Sequence, residues 1–233
     1  QAYIAAREAD LSVALAREVD GIPDDVGLLI IPSVKQLTAP SWRRLEERAA
    51  AGATVYVSYC AGVHAVQRGP WYADLNGLFG VRHKLVYGLN NPIEEDRIEV
   101  TFTRDFGSIP AATVLHFRTG GTEDSRAFLP VEPDGAEVVA VDCHERPVLT
   151  VRRVGAGRVV FSTYPFEHMA STLRDVNPEP THQIYDALAC VAGITRDVVT
   201  DDPRINVGEL SHEDGRRFVW FVSQSGDEVA VKP

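Results

Sequence analysis

The first 60 residues alternate between two hydrophobic patterns, one typical of helices and one typical of buried strands. Residues 26–31 are continuously apolar, as in a strand that is buried on both faces of a parallel sheet. Residues 38–52 repeat apolar side chains at helical spacing, and residues 53–59 return to a strand pattern. This succession of helix and strand predicts an α/β domain with a doubly wound, flavodoxin-like sheet.

The beginning of the chain adds two more elements to this pattern. Residues 1–10 have helical spacing, and residues 11–18 are strand-like. A doubly wound domain normally opens with a strand, because right-handed crossovers join each strand to the next. We therefore expect the first strand of the domain to precede Gln1 in a longer protein.

Beyond residue 90 the pattern changes to short β-like runs. Between about residues 90 and 146 these runs are separated by glycine, proline and aspartate turns, which predicts a β-rich insertion on the α/β domain. Residues 147–165 then predict a β-hairpin around a Gly-Ala-Gly turn, and residues 181–194 predict a final helix. We assign residues 1–197 to the α/β domain.

The last part of the chain has a β pattern of its own. After a linker, residues 203–233 contain two or three strand-like runs with turns near Asp214 and Asp227. Three strands are too few to close an independent sandwich. These residues are therefore predicted to be the start of a small C-terminal β-sandwich.

Composition narrows the possible partners and cofactors. The net charge of −10 opposes binding to a phosphate backbone, so we expect no nucleic-acid partner. No apolar run is long enough to span a membrane. Cys60, Cys143 and Cys190 are widely spaced, which indicates a reducing, cytoplasmic compartment. Because the cysteines and histidines lack ligand spacing, we expect neither a metal site nor a cofactor.

The strongest candidate for chemistry is the cysteine that directly follows the strand at residues 53–59. A thiol at a strand-to-helix turn lies at a helix N-terminus, which lowers its pKa and offers amide N–H groups to an oxyanion. Small neighbours suit such a turn, and the sequence supplies Ala61 and Gly62. The segment from Cys60 to His64, CAGVH, resembles the Cys-x-Gly-x-Gln/His elbow of class I glutamine amidotransferases.

The resemblance to amidotransferases breaks at the segment that would supply the base. In that family a His-Pro-Glu sequence after a late strand provides the base and the carboxylate that orients it. The matching segment here reads TYPFEH, with Tyr164 at the histidine position and His168 after Glu167. Tyrosine is a poor base at neutral pH, because its unperturbed pKa is about 10. Cys60, His64, Glu167 and His168 are therefore predicted to be vestigial, and the alternative is a cysteine-dependent amidase or hydrolase that uses Cys60 with His64 or His168.

The order of the segments carries a second and broader resemblance. Residues 28–59, 147–167 and 204–231 are similar, in that order, to the amidotransferase-like middle domain and the C-terminal β-sandwich of multidomain glycoside hydrolases. Two kinds of middle domain are similar to this chain. One is the β-galactosidase trimerisation domain of family forty-two, and the other comprises related modules that follow a mannanase- or cellulase-like barrel. The similarity covers nearly the whole chain.

The glycoside hydrolase resemblance implies an accessory region of a bacterial enzyme that acts on β-linked sugars, without catalytic residues of its own. The catalytic TIM barrel would lie upstream of Gln1, and the region would form a homo-oligomer and shape the cleft of the barrel. Trp71 and Tyr72 follow the elbow at the carboxyl edge of the sheet, where α/β domains bind ligands. Because they are candidates for stacking on a sugar, a carbohydrate-binding module is a further alternative.

Overall fold

The computed structural model describes residues 1–33, 37–59, 75–84, 91–121, 126–173, 179–200 and 202–223. The helices are α1 (Ala2–Glu8), α2 (Ala39–Ala50), α3 (Leu75–Phe79), α4 (Phe166–Thr172) and α5 (Thr181–Val191). The strands are β1 (Leu28–Ile31), β2 (Thr54–Ser58), β3 (Val81–His83), β4 (Asn91–Pro92), β5 (Arg97–Phe102), β6 (Val114–Arg118), β7 (Ala127–Phe128), β8 (Val131–Pro133), β9 (Glu137–Val141), β10 (Pro147–Val154), β11 (Gly157–Ser162), β12 (Ile205–Ser211) and β13 (Arg217–Ser223).

A seven-stranded sheet forms the centre of the fold, with the strand order β1-β2-β11-β10-β9-β5-β6. Strands β1, β2 and β11 pair in parallel, and the remaining strands pair antiparallel. A mixed α/β fold is therefore confirmed. Only the end of the sheet that contains β1, β2 and β11 has the parallel pairing of a doubly wound sheet.

The β-rich segment between residues 90 and 146 builds much of the antiparallel half of this sheet. It supplies β5, β6 and β9, and β9 pairs with β10 of the predicted hairpin. Its strands β4 and β7 pair with each other in a small sheet, and its strand β8 pairs with β3, which precedes the segment. The segment is thus continuous with the central sheet.

Local sequence patterns predicted most elements well and one element wrongly. The strand at 26–31, the helix at 38–52, the hairpin and the final helix are confirmed as β1, α2, β10–β11 and α5. The strand expected at residues 11–18 is wrong, because residues 12–17 form no strand and are exposed. An alternating pattern forms a strand only where a neighbouring strand offers hydrogen-bonding partners, and the described residues pair no strand with this segment.

The hydrophobic core lies in two clusters, one on each face of the central sheet. Successive residues of a strand point to opposite faces, so β2 sends Val55 and Val57 to one cluster and Tyr56 to the other. The first cluster contains α2 and α3, and there Phe79 stacks on Phe161 with ring centroids 4.3 Å apart. The second cluster contains α1, α4 and α5. The sheet is therefore covered on both faces.

Strands β12 and β13 form a separate two-stranded sheet beside α1. On one face the β12 residues Ile205 and Val207 are buried, whereas the β13 residues beside them are exposed. The Arg7 guanidinium donates to the Val207 carbonyl. The opposite face is apolar and exposed, and it carries Leu210, Phe218, Trp220 and Val222, which the strand register places on one side. None of the helices in the described parts of the chain has the length and apolarity needed to cross a bilayer.

Candidate functional site

The carboxylate of Glu167 is buried at the carboxyl end of β2 and accepts three hydroxyl groups. Tyr185 Oη donates to it over 2.9 Å, Tyr56 Oη over 3.1 Å and Ser58 Oγ over 2.7 Å. Tyr56 and Ser58 are two residues apart in β2 and so share the face that meets α4 and α5. In the described parts of the chain Glu167 has no salt bridge.

The two tyrosines of this network remain hydroxyl donors. Burial, followed by the charge of Glu167, raises the pKa of Tyr56 and of Tyr185 well above the ordinary value for tyrosine. Ser58 Oγ also accepts the backbone N–H of Ser33 over 2.7 Å. The Glu167 carboxylate thus joins β2, α4 and α5, and Ser58 extends the network to Ser33, just after β1.

The chain turns sharply after β2. Tyr59 has a φ of 47°, in the left-handed region that a bulky residue rarely adopts, and its N–H donates to the Ser162 carbonyl over 2.8 Å. In a nucleophile elbow the nucleophile itself occupies the strained position, whereas the strained residue here is Tyr59. The predicted site residues Cys60, His64, Trp71 and Tyr72 themselves lie outside the described residues.

The residues of the TYPFEH segment point in different directions. Tyr164 is fully buried, and its hydroxyl donates to Asp142 Oδ2 over 2.7 Å. Burial and the Asp142 carboxylate raise the pKa of Tyr164 far above its usual range, so it is no base at neutral pH. His168 is exposed on the outer side of α4, whereas Glu167 points into the core. The fold therefore separates Glu167 and His168, although they are neighbours in sequence.

A surface cleft of about 370 Å³ lies on the antiparallel side of the sheet, and sequence reasoning missed it. Asn91, Pro92, Glu94, Glu95, Phe128, His144 and Arg146 line it, and we refer to it as the Glu95 cleft. The residues come from β4, β7 and the two turns before β5 and β10. They are up to 55 positions apart in the sequence, so no local spacing could have indicated them.

Asp142 organises the turn that forms one wall of the Glu95 cleft. Its Oδ1 accepts the backbone N–H groups of His144 and Arg146, each over 2.9 Å, and its Oδ2 accepts Arg146 Nε over 2.5 Å. Burial alone would raise the pKa of Asp142, but the Tyr164 hydroxyl and the donors of Arg146 and His144 outweigh it and lower the pKa. Asp142 is therefore held as a carboxylate.

Phe128 is enclosed by its neighbours in this wall. The Arg146 guanidinium carbon lies 4.3 Å from the centroid of the Phe128 ring, as in a cation–π contact. The Tyr164 ring stacks against Phe128, with centroids 5.4 Å apart and an interplanar angle of 14°. Phe128 is consequently buried and does not offer a free ring face to a sugar.

A carboxylate and an imidazole, those of Glu95 and His144, line the Glu95 cleft, and the Cys143 thiol lies beside them. His144 Nε2 lies 2.6 Å from Glu95 Oε1, and this contact lowers the pKa of Glu95. Burial, followed by the charges of Asp142 and Glu95, raises the pKa of the Cys143 thiol. A raised thiol pKa lowers the thiolate fraction at neutral pH, so Cys143 is a weak nucleophile in this state.

Comparisons with known proteins identify the fold. No protein-family model matches the chain, and no curated protein matches it either. Solved structures do match. They include a cold-adapted β-galactosidase from Rahnella sp. R3 (TM-score 0.66, 14% identity over 96% of this chain and 31% of that chain). A catalytic mutant of a GH42 β-galactosidase from G. stearothermophilus matches with a TM-score of 0.63 and 17% identity, over 89% of this chain and 27% of that chain. For α-L-fucosidase isoenzyme 2 from Paenibacillus thiaminolyticus the TM-score is 0.60 and the identity 11%, over 95% of this chain and 34% of that chain.

These similarities concern the fold alone, because the identities are far too low to carry over residues or activities. The chain spans about a quarter to a third of the length of these solved structures. The chain therefore has a fold that occurs within glycoside hydrolases, which confirms the coarser part of the resemblance found in the sequence. The fucosidase acts, by its name, on an α-linked sugar, so the fold is not confined to enzymes for β-linked sugars.

Proposed function

We propose that this chain is a non-catalytic accessory and oligomerisation region of a bacterial glycoside hydrolase that acts on β-linked sugars. Its catalytic TIM barrel would lie upstream of Gln1 in the same polypeptide. One observation carries the proposal: Glu167, which Phe166 displaces by one residue from the position of the amidotransferase carboxylate, is buried and accepts three buried hydroxyl groups. The similarity to parts of several glycoside hydrolases supports it.

The contacts of Glu167 and Tyr164 argue against acyl transfer at the end of β2. A cysteine nucleophile needs a base within hydrogen-bond reach, and that base needs a group that orients it. Tyr164 stands in place of the base and donates its hydroxyl to Asp142. Glu167 is buried and already accepts Tyr56, Ser58 and Tyr185, which leaves it at most about one acceptor site for an imidazole.

The proposal extends to the organisation of the chain. Residues 1–197 would form a flavodoxin-like, amidotransferase-like domain, and residues 203–233 would begin a β-sandwich, in a protein of the cytoplasm. The separate sheet of β12 and β13 supports this division, because a two-stranded sheet is not stable alone and needs further packing. Its exposed apolar face supports a role in assembly, since monomers rarely expose contiguous apolar patches.

The thiol of Cys60 is expected to react as an ordinary, unactivated cysteine. Cys143 and Cys190 are exposed and free, so the measurement requires the variant Cys143→Ser/Cys190→Ser, in which Cys60 is the single thiol. The rate of alkylation against pH should follow a pKa of about 8.5 or higher. The same protein unfolded in urea provides the reference titration.

The same variant separates the accessory role from the alternative of a cysteine-dependent amidase. We expect no hydrolysis of glutamine, of simple amides or of aryl β-glycosides by the chain alone. A thiolate that titrates well below pH 8, or an amidase activity that disappears in Cys60→Ser, would favour the enzyme. Turnover of an aryl β-glycoside would contradict the proposed position of the catalytic residues in a separate barrel.

The exposed face of β12 and β13 is expected to join copies of the chain. Sedimentation velocity at tens of micromolar should detect an oligomer of the wild-type chain, and Phe218→Ser/Trp220→Ser should sediment as a monomer with little change in melting temperature. Val114→Ser, an exposed apolar residue on β6, is the matched control and should leave the oligomer intact. If the wild-type chain sediments as a monomer, the prediction that this face joins copies of the chain is wrong.

A further inference from the structure

Three side chains with different ligand atoms converge beside the Glu95 cleft: Glu95 and His144 line it, and Cys143 lies next to them. Cys143 and His144 follow each other in the turn between β9 and β10, and Glu95 lies in the turn before β5. One ligand atom from each side chain lies within 4.8 Å of the other two. From this arrangement we propose that Glu95, Cys143 and His144 bind a divalent transition-metal ion, zinc in the first instance. The proposal is independent of the accessory role argued above.

The distances suit an ion of this size. Zinc binds sulfur at about 2.3 Å and nitrogen or carboxylate oxygen at about 2.0–2.2 Å, so tetrahedral ligand atoms lie roughly 3.4–3.6 Å apart. The contact of 2.6 Å between His144 and Glu95 would open by less than about 1 Å to admit the ion. The ligand atoms lie within 4.8 Å of one another, so no pair would have to close by more than about 1.4 Å. Cys143 and His144 are exposed and Glu95 is only partly buried, which leaves their side chains room to rotate.

The donor set selects the class of metal. A thiolate and an imidazole favour zinc and similar transition metals, whereas magnesium and calcium prefer sites built of oxygen alone. The charges of the site would also balance. The Cys143 thiolate and the carboxylates of Glu95 and Asp142 carry three negative charges, and a divalent ion and the Arg146 guanidinium carry three positive charges. Arg146 Nη2 lies 3.9 Å from Glu95 Oε1, and its stacking on Phe128 holds it to one side of the site.

The turn that carries two of the ligands is already ordered. Asp142 accepts the backbone N–H groups of His144 and Arg146, which fixes the path of the chain through Cys143 and His144. Outer groups that orient metal ligands in this way raise the affinity of a site. Three protein ligands leave a fourth position for water or a ligand hydroxyl on the open side, where the Glu95 cleft gives access.

Titration of the untagged chain with Co²⁺ tests this site directly, because a thiolate ligand gives a near-ultraviolet charge-transfer band. We expect one Co²⁺ per chain, displacement by stoichiometric Zn²⁺, and an unchanged band in Cys60→Ser/Cys190→Ser. Cys143→Ser should abolish the band. Glu95→Gln and His144→Asn should weaken Co²⁺ binding by at least about tenfold, since even changes to outer groups have effects of that size.

Glu94→Gln is the matched control, because Glu94 lies beside Glu95 in the same turn and also lines the cleft. The dissociation constant of Glu94→Gln for Co²⁺ should lie within about twofold of the wild-type value, whereas that of Glu95→Gln should be at least about tenfold higher. Circular dichroism checks that each variant is folded. The proposal is overturned if the wild-type chain gives no band at stoichiometric Co²⁺. It is equally overturned if the band depends on Cys60 or Cys190, or if Glu95→Gln and His144→Asn bind as Glu94→Gln does.

Discussion

Replacing Glu167 with alanine is expected to lower the free energy of unfolding by about 3–5 kcal/mol. The substitution removes the acceptor of three hydroxyl groups that belong to fully buried residues, Tyr56, Ser58 and Tyr185. Each donor left without a partner costs about 1–3 kcal/mol, and local rearrangement recovers part of the sum. Urea unfolding measures the effect as a shift of the midpoint at an unchanged m-value.

Glu167→Gln is the conservative comparison and should lower the unfolding free energy by only about 1–2 kcal/mol. Glutamine keeps the volume and one acceptor oxygen, while its NH₂ group can donate to Ser58 Oγ but cannot accept. Glu47→Ala, on the exposed side of α2, should leave the midpoint unchanged. If Glu167→Ala proves neutral or stabilising, Glu167 is instead retained at a cost to stability, as catalytic carboxylates often are, and the accessory role loses its main support.

The sequence predicted the elements around Glu167 but not its partners. The pattern of apolar residues was sufficient for β2, α2 and α5, because helical and strand spacing are local properties of the chain. The tyrosine at position 164 also indicated that the usual base is missing. The partners of Glu167 come from β2 and α5, up to 111 residues away, and only the packing of α4 against the sheet brings them together.

The Glu95 cleft could not be predicted from the sequence either, because its residues also come from distant parts of the chain. Residues 94–97 look like a solvated acidic turn, and His144 follows Cys143 without any ligand spacing. Their meeting depends on the pairing of β5 with β9, and the hydrophobic pattern does not fix such a long-range register. The expectation that no metal binds rested on sequence spacing alone. The fold brings Glu95, Cys143 and His144 together, which is the basis of the metal site proposed above. The roles of Cys60, His64, Trp71 and Tyr72 remain predictions.

Asp142→Asn is expected to lower the free energy of unfolding by about 2–4 kcal/mol at pH 7. Asparagine cannot neutralise Arg146, and it offers one acceptor oxygen where the carboxylate offers two. The Tyr164 hydroxyl and the Arg146 guanidinium share Oδ2 of Asp142, and two backbone N–H groups share Oδ1, so one of these two pairs of donors faces the NH₂ group of asparagine and loses its acceptor. The Arg146 side chain is about one-third exposed, which is why the expected effect is below that of a fully buried pair.

The effect of Asp142→Asn should depend on pH in a definite direction. The pKa of Asp142 in the folded chain lies below its ordinary value of 3.8, so its charge stabilises the fold above that value and the contribution is lost as the pH falls through the folded pKa. The unfolding curves of wild type and variant should therefore be well separated at pH 7 and at pH 5, and should approach each other below about pH 3.5. Asp134→Asn, at an exposed ion pair with Arg82, should follow the wild type throughout. A difference that stays constant with pH would mean that Asp142 acts through the shape of the turn alone, and the charge of its carboxylate would then contribute nothing to holding Arg146 beside the Glu95 cleft.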